Sequence, residues 1–425
     1  MDRRAKATAN MPGVRRLLIL ALAAFAVSAS PAVAADHGIT LSSSRALSPR
    51  LTELTMSTAA LAKPTHVRVL VPAGYDANPQ RRYPVLYLLH GSFDDYRSWT
   101  DKGDAEKITA GLQAIVVMPD NGNGGWYTDW FRPGPPRWET FHIGQLLPWI
   151  DEHYRTIPTR GERAVAGLSM GGFGAMSYAA RHPDLFSWAA AFSGAVDIVN
   201  NAPVVGVIDL EAPADGGKPG DQFGDRVLNE DNWRAHNPWD LASNLRNTTL
   251  RLDTGNGQPG PYDQGKLTPD LIEQQVHEMN VSLHDKLSSL HIPVAWDDYG
   301  PGTHSWPYWQ RDLRQALPSL EDSFAHPAAA PRRFSYVSGV RSYDVYGWHV
   351  TSGGTKLTTL RGAGRRGFTF VGGGPVTVRT ASLYRPRSRH AVTIVAQRKL
   401  LRADRLGRLK ITLPDATAGA RVRIG

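Results

Sequence analysis

Apolar residues in the first three quarters of this 425-residue chain fall mostly into short, unbroken runs. Residues 85–89 (V-L-Y-L-L) and 114–118 (A-I-V-V-M) carry no charge and read as strands buried on both faces. Residues 65–71 (T-H-V-R-V-L-V) alternate, as a strand with one covered face does, and 74–82 read as a turn. Residues 141–154 space their apolar positions as a helix. A short strand at 164–166 leads into a small-residue helix over 172–181, and 250–253 and 293–299 are later strands. Strands alternating with helices predict an α/β fold with a mostly parallel central sheet covered on both faces.

The texture changes after residues 326–333 (H-P-A-A-A-P-R-R), which read as a linker. Short strand-like runs follow at 334–337, 346–350, 367–371, 376–379, 391–395, 409–413 and 420–424, separated by Gly, Pro and Arg. That pattern predicts a small all-β, sandwich-like region. At the other end, Arg3, Arg4, Lys6, Arg15 and Arg16 flank an apolar run over 17–27, and Ala32-Val33-Ala34 offers small residues for cleavage. This is the layout of a secretory signal peptide. The expected organisation is a signal peptide at 1–34, an α/β part at 35–325, the linker, and a basic β-rich region at 334–425, in a protein that works outside the cytoplasm or on the cell envelope.

With 41% hydrophobic and 20% charged residues the chain suits a soluble globular protein. It has no cysteine, which excludes disulfides, thiol catalysis and Cys-ligated metals. Charge is unevenly spread. From Phe334 onward seventeen Lys and Arg face three acidic residues, while the whole chain is only +9. The basic region is either a docking surface for an anionic cell-wall polymer or lipid, or a solvated face without a dedicated partner.

The strongest chemical signal is Gly167-Leu168-Ser169-Met170-Gly171, set between an apolar strand and a small-residue helix. A nucleophile on so tight a turn needs glycines, because side chains there would strike neighbouring backbone. Ser169 then requires a base later in the chain, and His304, in a loop after a strand, is the candidate. Backbone N–H groups of Met170 and of Ser92, in the loop after 85–89, form the expected oxyanion hole. His90 is read as shaping that loop. Trp126, Trp130, Trp306 and Trp309 are candidates either for a substrate cleft or for the core.

These residues resemble the antigen 85 mycolyltransferases and the wider esterase D-like hydrolases. The resemblance runs from about Val85 to Trp309. It rests on V-L-Y-L-L-H-G, D-D-Y-R-S-W (94–99), W-Y-T-D-W (126–130), R-W-E-T-F (137–141), G-L-S-M-G-G (167–172) and G-T-H-S-W-P-Y-W (302–309). It implies an α/β-hydrolase fold and a serine esterase or acyltransferase that forms an acyl-serine, with an acyl ester as substrate and a sugar among the acceptors. It implies Glu273 as the acid beside His304, with Asp263 as the alternative. Trp306 resembles an acceptor-site wall of the family, and Phe93, Trp130 and Trp306 are the expected substrate-binding positions. The chain departs from the mycolyltransferase pattern at the oxyanion loop. His90 and Phe93 stand where those enzymes carry an aspartate and an arginine.

No H-E-x-x-H, P-loop or dinucleotide fingerprint is present, so neither metal nor cofactor is expected. An exported protein is not expected to bind nucleic acid. Two other readings share these features: a non-catalytic surface adhesin on the same scaffold, and a serine peptidase or amidase.

Overall fold

The computed structural model describes residues 36–354 and 356–425; the expected signal segment, 1–34, lies outside the described residues. The central sheet has nine strands among them: β1 (Ile39–Ala46), β2 (Leu51–Thr58), β3 (Thr65–Leu70), β4 (Val85–Leu89), β5 (Ile115–Pro119), β6 (Arg163–Leu168), β7 (Trp188–Phe192), β8 (Thr249–Thr254) and β9 (Ala295–Asp298). Their order is β1-β2-β3-β5-β4-β6-β7-β8-β9. Strands β4 to β9 run parallel, and β1, β2 and β3 add an antiparallel wing that joins at β5.

The unbroken apolar runs have the expected cause. Every residue of β4, β5, β6 and β7 is buried. Alternate side chains feed two separate cores. Val85, Tyr87 and Leu89 pack with Val165, Phe173 and Met176 on one face. Leu86 and Leu88 pack with Ala166, Trp99 and Leu313 on the other. Among the described residues no helix is long and apolar enough to cross a membrane.

The chain goes from β4 outward to β5 and then returns to place β6 on the other side of β4. The carboxyl ends of β4 and β6 therefore flank a topological switch point, where a sheet of this kind opens a crevice. His90-Gly91-Ser92 leaves one of these ends and Ser169 leaves the other.

The C-terminal region is all β. It comprises β10 (Arg333–Ser338), β11 (Ser342–Val345), β12 (Trp348–Ser352), β13 (Thr358–Gly364), β14 (Gly367–Gly372), β15 (Val376–Arg379), β16 (Arg389–Ile394), β17 (Gln397–Arg402), β18 (Lys410–Leu413) and β19 (Ala416–Ile424). They form two antiparallel sheets, β10-β13-β14-β19-β16-β17 and β11-β12-β15-β18, around a core of their own. The strand expected at 346–350 lies at Trp348–Ser352 instead. Tyr346 (φ 48°) and Gly347 (φ 75°) take left-handed conformations and form the turn from β11. The region is seated on the α/β part by polar contacts. Tyr336 Oη–H donates to the Arg181 carbonyl at 2.6 Å and Tyr346 Oη–H to the Pro183 carbonyl at 2.8 Å. The Asn244 amide bonds both main-chain groups of Val337.

Candidate active site

Ser169 sits between β6 and the helix Met170–Arg181 at φ 53°, ψ −120°, a conformation that L-residues seldom adopt. The flanking glycines make this turn feasible. A Cβ on Gly167 would lie 2.3 Å from the Gly171 carbonyl oxygen, and one on Gly171 would lie 2.5 Å from the His90 and Leu89 carbonyl oxygens. The turn thus wedges its backbone against the end of β4. The Ser169 N–H donates to the Phe192 carbonyl at 3.0 Å, and its own carbonyl accepts from Phe173 and Ala195.

A chain of hydrogen bonds starts at the Ser169 hydroxyl. His304 Nε2 lies 2.9 Å from Ser169 Oγ, and His304 Nδ1 lies 2.7 Å from Glu273 Oε2. A carboxylate can only accept, so Nδ1 carries the imidazole proton and Nε2 is left to accept from the hydroxyl. Glu273 is fully buried. Its other oxygen accepts from Ser193 Oγ at 2.8 Å, from Gly255 N at 2.8 Å and from Thr254 Oγ1 at 3.3 Å. The carboxylate has little freedom to turn. The His304 ring rests edge-on against Trp309, with centroids 5.0 Å apart.

Asp263, the alternative acid, bonds elsewhere. It accepts from Gly260 N at 2.7 Å, from Tyr308 Oη at 2.7 Å and from Thr303 Oγ1. Burial opposes its charge, but these donors hold its carboxyl below the usual range. It ties down the loop just before His304 rather than the imidazole. A residue not singled out in the sequence completes this support. Asp270 caps the helix Leu271–Ser289 through Ile272 N (3.0 Å) and Glu273 N (3.1 Å). Its second oxygen accepts from His304 N at 3.1 Å. One carboxylate thus sets both the acid and the imidazole. The spacing Asp270-x-x-Glu273 is a helix-start signature that could have revealed it.

The loop after β4 approaches Ser169 closely. A Cβ on Gly91 would lie 3.3 Å from Ser169 Cβ. His90 Nδ1 is 2.8 Å from the Gly91 carbonyl, and Asn121 N–H donates to His90 Nε2 at 3.0 Å. The buried imidazole therefore orients the Gly91–Ser92 peptide, and across that planar unit the Ser92 N–H faces the opposite way. Met170 opens its helix, so its N–H has no carbonyl one turn back to bond.

A cavity of about 400 Å³ opens beside Ser169 and His304. Val204, Val207, Leu271, Ile272, Val276 and Met279 make it apolar; Ser92 and Phe93 stand on its wall, and so do Trp126 and Trp309. The other two expected substrate-binding positions do not line it. Trp130 is only 4% exposed, donates from Nε1 to the Gly125 carbonyl at 3.3 Å and packs against Gly217. Trp306 is stacked edge-on between Trp99 and Trp309, each 5.2 Å away, behind the histidine loop. Both are held by their own packing partners. Glu211 is the unexpected lining residue: 3% exposed, it accepts the Trp126 Nε1–H at 2.7 Å. Burial pushes its carboxyl up to about 7, against hydrogen bonds from Ser92 and Trp126. Among the described residues, Asp36, His37 and Glu152 lie close enough together to share an ion; they are largely exposed and none of them lines this cavity.

Known proteins resemble this chain. The family model described as putative esterase matches residues 58–320. The esterase Rv1288 of Mycobacterium tuberculosis is 35% identical over 268 residues, covering 60% of this chain and 56% of that protein. The chain thus spans little more than half the length of that relative. The diacylglycerol acyltransferase/mycolyltransferase Ag85B of Mycobacterium leprae is 31% identical over 262 residues, covering 59% of this chain and 78% of the relative. The solved structure of MPT51 from Mycobacterium tuberculosis superposes with a TM-score of 0.53 at 24% identity, over 63% of this chain and 96% of that one, a likeness of fold. The chain therefore belongs to the putative esterase family, the α/β-hydrolase esterases related to the antigen 85 proteins.

Proposed function

We propose that this protein is an extracytoplasmic serine esterase or acyltransferase that acts on carboxylic esters with a lipid-like acyl group. The observation that carries the proposal is the Glu273–His304–Ser169 chain at 2.7 and 2.9 Å, opening on an apolar cavity. Ser169 Oγ attacks the ester carbonyl while His304 Nε2 takes its proton. The oxyanion is held by the Ser92 and Met170 N–H groups, each contributing about 3 kcal/mol to the barrier reduction. His304 then returns the proton to the departing alcohol oxygen as the carbonyl–oxygen bond breaks, leaving an acyl-serine. Water or a sugar hydroxyl, deprotonated by His304, releases the acyl group.

The acyl preference rests on the cavity mouth. Phe93, Val207, Leu271 and Ile272 are large apolar residues left exposed there, as a site for an apolar ligand requires. The extracytoplasmic setting rests on the N-terminal sequence. A further part of the proposal is attachment: the basic C-terminal region holds the enzyme to an anionic polymer or lipid. The chemistry is tested with a fluorophosphonate probe and p-nitrophenyl esters. Labelling that disappears in Ser169→Ala, with ester turnover lost by at least about 10⁴-fold, is expected. No labelling, or faster cleavage of the matching anilides, refutes it. Product analysis with water against sugar acceptors then separates hydrolysis from transfer.

A further inference from the structure

The outer face of the six-stranded sheet carries an arrangement that the ester chemistry does not use. In one rung across the sheet, Arg333 of β10 is opposite Gly364 of β13, Gly364 is opposite Gly367 of β14, and Gly367 is opposite Arg423 of β19. In another rung, Arg361 is opposite Thr369, and Thr369 is opposite Arg421. Each rung therefore has small residues in the middle and an arginine at either end. With strands about 4.8 Å apart, the flanking arginines start roughly 10–14 Å from one another. The result is a groove of about 460 Å³ with a backbone floor, and Arg365 and Arg366 from the β13–β14 turn also line it.

Nothing among the described residues neutralises this groove. The acidic residues after Phe334 are Asp344, Asp404 and Asp415. Asp344 bonds His349, Asp404 pairs with Arg408, and Asp415 accepts from Thr417. None of the groove arginines is in an ion pair among the described residues. Unpaired guanidinium forks of this density suit phosphate oxygens, which they bind two hydrogen bonds at a time.

We infer that this groove binds a linear chain of phosphates without aromatic bases. This deepens the attachment part of the proposed function and is independent of the ester chemistry. The shape decides between sources. A flat bilayer cannot reach a concave backbone floor, whereas a chain can lie along it. Arg421 and Arg423, two residues apart on one strand, are about 6.8 Å apart, so one chain of phosphates lying along the strand can reach both arginines. The aromatic ring in the lining, Phe368, is 4% exposed and offers no stacking surface for a base.

The test measures binding of inorganic polyphosphate to the full chain across a salt series. Orthophosphate, single-stranded DNA and anionic phospholipid vesicles serve as comparisons. The logarithm of affinity is expected to fall with log salt at a slope of about −0.7 per phosphate engaged, and thus about −3 to −5 overall. The double variant Arg421→Ala/Arg423→Ala should bind about tenfold or more weakly with a slope shallower by about 1.4, at unchanged melting temperature and ester turnover. Arg421→Lys/Arg423→Lys should keep the slope and still lose affinity, because a single ammonium cannot replace the fork. Unchanged affinity in the alanine variant overturns the inference. So does competition by orthophosphate at equal phosphate concentration, or tighter binding of DNA than of polyphosphate at equal charge. Binding to vesicles but not to polyphosphate overturns the groove and leaves attachment standing. Binding to neither overturns both.

Discussion

Glu211 is expected to make the stability of the fold depend on pH. The residue lines the Ser169 cavity, and its Cβ packs against Gly124, where an added Cβ would come within 2.5 Å of it. Burial raises its pKa from 4.5 to about 7. The folded value lies above the unfolded one, so folding favours the protonated acid. That contribution is full below pH 4.5 and is lost as pH rises through 7. A shift of about 2.5 units at 1.36 kcal/mol each makes the total roughly 3 kcal/mol, of which about 2.5 kcal/mol falls between pH 5 and pH 8. Glu211→Gln keeps the shape and the acceptor for Trp126 but cannot ionise. Relative to the parent, the Gln variant should therefore gain stability as pH rises from 5 to 8. In a chain of this size the differential amounts to about 3 °C in melting temperature. Thermal melts of both proteins at the two pH values measure it. An equal shift at pH 5 and pH 8 refutes the reasoning, because the carboxyl would then ionise alike in both states.

Other expectations concern the support of the imidazole. Glu273→Gln should lower kcat on a p-nitrophenyl ester by about 10⁴-fold with the fold intact, because an amide no longer fixes the Nδ1–H tautomer. Asp263→Asn, which touches Thr303 and Tyr308, should cost only about tenfold; stopped assays of the pair measure the contrast. Asp270→Ala removes a helix cap and the His304 N–H acceptor together. It should cost about 1 kcal/mol of stability by thermal melt and lower kcat while leaving KM nearly unchanged.

The parts legible in the sequence were those whose cause is local. β4 and β5 declare themselves because two-sided burial requires an unbroken apolar run. The strained turn at Ser169 declares itself through Gly167 and Gly171, whose Cβ atoms would have no room. β7 escaped because W-A-A-A-F has the alanine content of a helix, and its strand state comes from neighbours on both sides. β17 escaped because Q-R-K-L-L-R lies at a sheet edge and is almost wholly exposed, so no face is marked by apolar residues. The burial of Glu211 depends on Gly124 and Trp126, far away in the chain, and no spacing rule reaches that distance. Trp130 and Trp306 look like cleft residues by type, and only their packing partners reveal that they are not.

Tyr336 grips the Arg181 carbonyl at one end of a 12-residue helix, and Ser169 immediately precedes the other end. That helix is a strut about 18 Å long. The helix thus links the Tyr336 contact directly to the turn that carries Ser169. On the proposed attachment the protein would work as a bracket: whatever its β end grips, the mouth of the Ser169 cavity would stand at a set height and heading above that surface. On the proposed chemistry it would then act on esters within that reach and pass over those beyond it.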